Sequence, residues 1–355
     1  MAKIKLLVSL LMFLLIVSCT NINREEYISN QEATINPSNI DKTDNLTEGI
    51  GDLFVIQKDN KCGFINSNGD IVINPIFEWA EDFSEGLASV MINNKHCFID
   101  KNGKVVIETN YDALRKFSEG LCVFQIGYPE SGVKCGYIDK EGNVIIKPTF
   151  SFAYDFSEGL ALVAIKDKAG FINKEGEIVI DTIYDSASPF SEGFARVQID
   201  GKYGFINKKG EVVVKPEYND AGNFFSEGLV CVQINDKWGF IDSNGSIIIK
   251  PNFNNRSMFS EGLAGVSNKD GCGYISRDGK FLIEPKFQDV GDFKEGLAPV
   301  KSFDKWGFIN KKGEFVLEPE FNNVEGFEHG LAKVFVNNKF GYVNKEGKYI
   351  WQPSE

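Results

Sequence analysis

Few side chains in this sequence could do chemistry. Its two histidines, His96 and His329, are far apart, and neither has a Cys or Asp at metal-ligand spacing. There is no His-Glu-x-x-His run, no Gly-x-Ser-x-Gly elbow, no phosphate-cradling glycine loop and no dinucleotide glycine fingerprint. What remains is a row of glutamates at nearly constant spacing: Glu85, Glu119, Glu158, Glu192, Glu227, Glu261 and Glu295. A row of carboxylates could bind divalent cations, but the dense Asp and Asn clusters of calcium loops are missing. Acid–base work needs two carboxyls in unlike surroundings, and equivalent repeat positions offer the opposite. The simpler expectation is structural. Lysines open the matching strands at 61, 95, 134, 168, 202, 237, 305 and 339, and two such ladders would neutralise each other between repeats. No catalytic residue, metal ligand or cofactor site is assigned.

The glutamates recur because the whole chain does. Lys237-Trp238-Gly239-Phe240-Ile241 returns as Lys305-Trp306-Gly307-Phe308-Ile309 and, degraded, elsewhere. The Gly slot falls at 63, 97, 136, 170, 204, 239, 273, 307 and 341, with Cys97 the exception in type. One supersecondary unit is therefore copied along the chain. Within one unit, the apolar and β-branched residues 228–234 predict a strand. Asn235-Asp236 predicts a two-residue hairpin turn, and 237–242 a second strand. Asp242-Ser243-Asn244-Gly245 predicts a turn, and 246–250 a third strand stopped by Pro251. Two aromatics follow in each connector, such as Phe253 and Phe259, and would fill the gaps between units. The expected fold is all-β: about nine three-stranded antiparallel meanders of about 34 residues, stacked as an open superhelical array. A closed β-propeller ring is the alternative, because the aromatic connector could supply a short fourth strand.

Ahead of the repeats, residues 1–18 read as a signal peptide. Lys3 and Lys5 precede an apolar run, Leu6 to Val17, too short to span a bilayer. Ile16-Val17-Ser18-Cys19 resembles the bacterial lipobox. That resemblance implies cleavage before Cys19 and a diacylglycerol on its thiol, which would hold the chain at a membrane. Residues 19–50 are polar and read as a flexible linker, and 51–355 as the repeat domain. The formal charge of −12 becomes −14 once Lys3 and Lys5 are removed, which disfavours nucleic acid as a partner. Of the other six cysteines, Cys62, Cys135 and Cys272 stand where other units place an aromatic residue. They read as small buried hydrophobes. Cys122 and Cys135, on two arms of one hairpin, leave a disulfide open.

The Lys-Trp-Gly-Phe-Ile phrase is preceded by Phe-Ser-Glu-Gly-Leu-Ala and followed by Gly-Glu-Val-Val-Val-x-Pro. This pattern resembles the WG-repeat (KWG-repeat) family over roughly residues 53–353. The resemblance implies a β-repeat architecture in exported or surface-associated bacterial proteins with interaction roles. It implies no catalytic residues.

One hairpin breaks the period. About five extra residues enter near Gly127, and Tyr128, Pro129, Glu130 and Ser131 form the candidate binding loop. The expected function is a membrane-anchored lipoprotein of the cell envelope, either cell membrane or outer membrane. Its repeat array would engage a protein, peptide or glycan. A purely structural envelope protein is the alternative, and an enzyme the remote one.

Overall fold

The structure is a computed structural model that describes residues 51–128 and 132–353. The signal peptide, Cys19, the linker and loop residues Pro129, Glu130 and Ser131 lie outside the described residues.

Every unit is built from the same local rules. In the unit containing Trp238, the first strand, Val230–Ile234, pairs antiparallel with Lys237–Ile241. Asn235 and Asp236 join them with φ of 49° and 61°, the left-handed pair that a tight hairpin needs to match strand twist. Asp242 then makes the second turn. Its side-chain oxygen accepts the amides of Asn244 (2.9 Å) and Ser246 (2.8 Å), and Gly245 closes the turn at φ 80°. The third strand, Ile247–Phe253, returns along the second.

The glycine of the repeated phrase has a specific cause. Trp238 faces Phe253 and Phe240 faces Ile249, so the third strand bulges opposite Gly239. A Cβ at Gly239 would lie 2.5 Å from the Ile249 carbonyl oxygen and 2.7 Å from the Pro251 nitrogen. The bulge also explains the recurring proline, which needs no ladder partner there. Where Cys97 occupies the glycine slot, the strands pair differently. Cys97 faces Glu108 and the third strand ends at that residue. Thr109 stands in the proline slot and turns inward, its amide and hydroxyl donating to the His96 carbonyl at 3.2 and 2.8 Å.

The connector is not merely a loop. In most units it forms a two-residue strand beside the next first strand, as Trp79–Ala80 does against Met91 and Val90. The result is nine small antiparallel sheets, most of them four-stranded. In chain order these blades occupy residues 54–77, 79–108, 113–150, 152–184, 186–218, 230–253, 259–287, 289–321 and 323–351. The short strands form the inner edge, since connectors of successive blades bond to each other. The Ser84 hydroxyl donates to the Phe117 carbonyl (2.7 Å), and Ser226 to Phe259 (2.6 Å).

Blades are held together by rings. In the first eight blades an aromatic on the second strand meets the connector Phe of the next blade, as in Phe171–Phe190 (4.7 Å), Phe240–Phe259 (5.0 Å) and Phe308–Phe327 (4.8 Å). Each core cluster therefore spans two blades: Trp238, Phe240 and Phe253 pack with Phe259, Val266 and Ile275. Burying one such ring contributes about 2–3 kcal/mol, an upper bound.

The same layer joins the last blade to the first. Phe54, Ile56 and Ile65 form one cluster with Leu331 and Tyr342. The nine blades thus close into a ring, a nine-bladed β-propeller. The all-β meander expectation holds, and the closed alternative is the form the chain takes, not the open array. Closure is favoured because an open stack would leave an apolar face uncovered at each end.

Candidate functional site

The glutamate row sits at the tips of the inner turns. Each Ser-Glu-Gly is a tight turn in which both Glu and Gly are left-handed, as at Glu158 (φ 55°) and Gly159 (φ 85°). A left-handed Glu is strained and needs support from its surroundings. The Glu158 carboxylate accepts the Gly193 amide of the next blade (3.0 Å) and meets the Lys208 ammonium at 3.0 Å. Glu85 does the same with Gly120 and Lys140, Glu261 with Gly296 and Lys311, and Glu295 with Gly330 and Lys345. Burial alone would raise the Glu261 carboxyl, but the Lys311 ammonium and the Gly296 amide outweigh it and hold it below its ordinary range.

These lysines are not the ones the sequence suggested. They come from the second turn, one residue after its leading Asn or Asp. The strand-opening lysines go elsewhere: Lys168 to Asp185 (2.6 Å), Lys202 to Asn219 and Lys237 to Asn254. The two ladders exist, but each glutamate reaches across to the adjacent blade's turn. Among the described residues no three His, Cys, Asp or Glu side chains converge as a metal centre would need.

Cys122 and Cys135 form no disulfide. Cys122 lies opposite Ile138 and Cys135 opposite Gln125, so the register separates them.

The clamp changes at the closing junction. His329 takes the Glu slot at φ 52° and its Nδ1 lies 2.9 Å from the Asp52 carboxylate of the first blade. Among the described residues the first blade has three strands and no inner strand. A cleft of about 230 Å³ opens there, lined by Asp52, Asp82, Glu325, His329, Phe83 and Tyr342 among others. Sequence reading missed it. The signals were His329 in a glutamate slot and no connector Phe ahead of Leu53.

The first-to-second-strand hairpins all lie at the opposite end of the blades from the Ser-Glu-Gly turns. Tyr128 is exposed there, with the Gly127 amide held by Asp112 at 2.7 Å. A second outlier on this face is Phe303, 91% exposed in a turn slot that other blades give mainly to Asn, Asp or Lys. Its turn is fixed by the Asp304 amide donating to Gln288 (2.8 Å). Two charge clusters tie connectors together: Arg115 grips Asp155 with two of its nitrogens (2.7 and 3.1 Å), and Arg196 and Arg256 both donate to the Ala221 carbonyl.

The fold matches known structures at low sequence identity. A crystal structure of a eukaryotic initiation factor aligns with a TM-score of 0.61 at 11% identity, covering 85% of this chain and 96% of that one. Dihydro-heme d1 dehydrogenase NirN aligns with a TM-score of 0.49 at 14% identity, covering 84% and 72%. Kluyveromyces lactis Hsv2p aligns with a TM-score of 0.41 at 9% identity, covering 67% and 94%. The first likeness speaks to fold alone, and the other two carry no argument. No curated protein matches the chain in sequence. The model of the WG containing repeat matches at residues 63–95, 98–128, 136–168, 170–203, 203–238, 238–272, 273–305 and 306–340. On that coverage the chain belongs to the WG-repeat family.

Proposed function

We propose that this propeller is a non-enzymatic binding scaffold, exported and held at the cell envelope by lipid on Cys19. One observation carries the binding reading. The polar side chains repeated from blade to blade are engaged within their own turns, as Asp242 is, or between blades, as in the Glu158, Gly193 and Lys208 clamp. Recognition then falls to groups that differ between blades. On the hairpin face these are Tyr128 and Phe303. Exposed aromatic rings suit a protein, peptide or glycan surface. The acidic charge suits none of the phosphate polymers.

The test is capture from envelope extracts with the wild type, Phe303→Ser and a chain lacking residues 127–132. A partner held by the wild type and lost from either variant supports the reading. A partner held equally by all three removes Phe303 and the 127–132 segment from recognition, and capture of none favours a purely structural envelope role. Mass spectrometry of the mature N-terminus tests the anchor separately, since an unmodified Cys19 removes it.

A further inference from the structure

The cleft lies at the closing junction, where the described residues of the first blade depart from the ring's repeat. Elsewhere a connector Phe plugs the space between inner edges, and Phe117, Phe156, Phe190, Phe225, Phe259, Phe293 and Phe327 are all buried. Among the described residues the first blade has no inner strand to do this. Phe83 of the second blade, held edge-on by Phe64 at 4.9 Å, is only half-buried and lines the cleft. The floor is aromatic: Phe54, Phe83 and Tyr342.

The walls are acidic. Asp52, Asp82, Glu85, Glu325 and Glu328 line the cleft against two lysines, Lys101 and Lys333, so the lining carries a net charge of −3 with His329 neutral. Several of these carboxylates already have partners: Asp52 has His329, Glu85 has Lys140, and Glu325 has Lys333 at 4.0 Å. Asp82 and Glu328 are in no ion pair among the described residues, and they line the cleft from the second and ninth blades.

We propose that this cleft binds an organic cation: an ammonium or guanidinium group on an apolar stem, as on a lysine or arginine side chain. The stem would lie against Phe83, where a cation and its methylenes are both favoured. The charged head would reach Asp82 and Glu328, giving charge-assisted hydrogen bonds. A volume of about 230 Å³ has room for one such side chain. The site lies at the opposite end of the blades from Tyr128 and Phe303, so it stands apart from the hairpin-face reading.

The experiment uses the mature chain and three probes in titration calorimetry. These are a capped pentapeptide with one central Lys, the same peptide with norleucine in its place, and spermidine. The Lys peptide should bind, the norleucine peptide should not, and added salt should weaken binding. Asp82→Asn with Glu328→Gln should lower affinity roughly 10-fold or more. Hydrogen exchange at residues 52–54 and 82–86 should slow when the Lys peptide is added to the wild type, a readout that needs no variant. Binding of spermidine alone would keep the cation site and make a free polyamine its source. Equal binding of the Lys and norleucine peptides, unchanged affinity in the double variant, or no binding of either cation at millimolar concentration overturns the proposal.

Discussion

The rings of Phe54 and Tyr342 lie 5.5 Å apart, although 288 positions separate them in sequence numbering. Tyr342 occupies the slot whose ring elsewhere meets a connector Phe, and Phe54 occupies a slot given to a small residue such as Ala88, Ala161 or Ala298. A large residue has replaced a small one where the connector ring is absent. The Tyr342 hydroxyl also donates to the Val55 carbonyl at 2.9 Å. The equivalent carbonyl in other blades, such as that of Ser89, accepts an inner-strand amide.

This junction should be sensitive to both groups. Phe54→Ala removes the ring that covers the ninth blade and should cost about 3–5 kcal/mol. Tyr342→Phe leaves the ring but orphans the Val55 carbonyl, at about 1–2 kcal/mol. Burial pushes the Tyr342 hydroxyl above its ordinary range, so it remains a donor at any ordinary pH. Urea unfolding measures both. Costs equal to those of the same changes at an exposed site would mean the ring is not closed by this contact.

The glycine of the repeated phrase and the proline of the third strand should be energetically coupled. Gly239→Cys alone drives a side chain into the Ile249 carbonyl and should cost about 2–3 kcal/mol or more. The second blade carries Cys97 and Thr109 in these two slots and has lost the bulge. Adding Pro251→Thr to Gly239→Cys should therefore recover roughly 1 kcal/mol, read as the interaction term of a double-mutant cycle. Strict additivity would show that the bulge and the glycine are independent.

The local parts of this architecture were legible because turn chemistry is local. Asn235-Asp236 and Asp242 through Gly245 announce their turns within a few residues, and the period follows from their recurrence. Closure was not legible, because it rests on Phe54 meeting Tyr342, and no periodic pattern distinguishes a ring from a stack. The partner of each glutamate was misread for a related reason. Glu158 reaches Lys208 in the next blade, whereas the lysines nearest in the repeat pattern turn toward Asp185 or Asn254. Phe303 carried a signal, a ring in an Asn/Asp turn slot, that a search for repeated positions discards. The closing cleft was written as an absence, and absences at chain-proximal repeats resemble ordinary drift.

The clamps should give the fold an acid-sensitive component. The Glu85, Glu261 and Glu295 carboxyls are held below the ordinary value of 4.5, because lysine and amide partners outweigh burial. A depressed folded pKa contributes stability that is present above the unfolded value and is lost as pH falls through the folded one. Wild type and Glu261→Gln should therefore have parallel stability profiles from pH 7 to about 5. Below about 4.5 the wild type should fall more steeply, and the two profiles should converge. The effect per clamp is small because these carboxylates are mostly exposed. A variant profile that tracks the wild type down to pH 3 would remove the clamp from the stability account.

The buried thiols should behave as core, not as redox chemistry. Cys122 is buried with its Sγ 2.9 Å from the Arg115 carbonyl, and burial pushes its thiol well above the ordinary range. Burial pushes the Cys135 thiol up to about 11, and that of Cys231 up as well. Thiolate, not thiol, is the reactive form, so none of the three should react with a thiol reagent at pH 8 in the folded protein. All should react once the chain is unfolded in denaturant. Peptide mapping without reductant should find Cys122 and Cys135 alkylated separately, since the strand register sets them opposite Ile138 and Gln125. A linked Cys122–Cys135 peptide would require the hairpin to shift by several residues and expose Tyr137. Its appearance in protein oxidised only after unfolding, and not before, is the outcome this register demands.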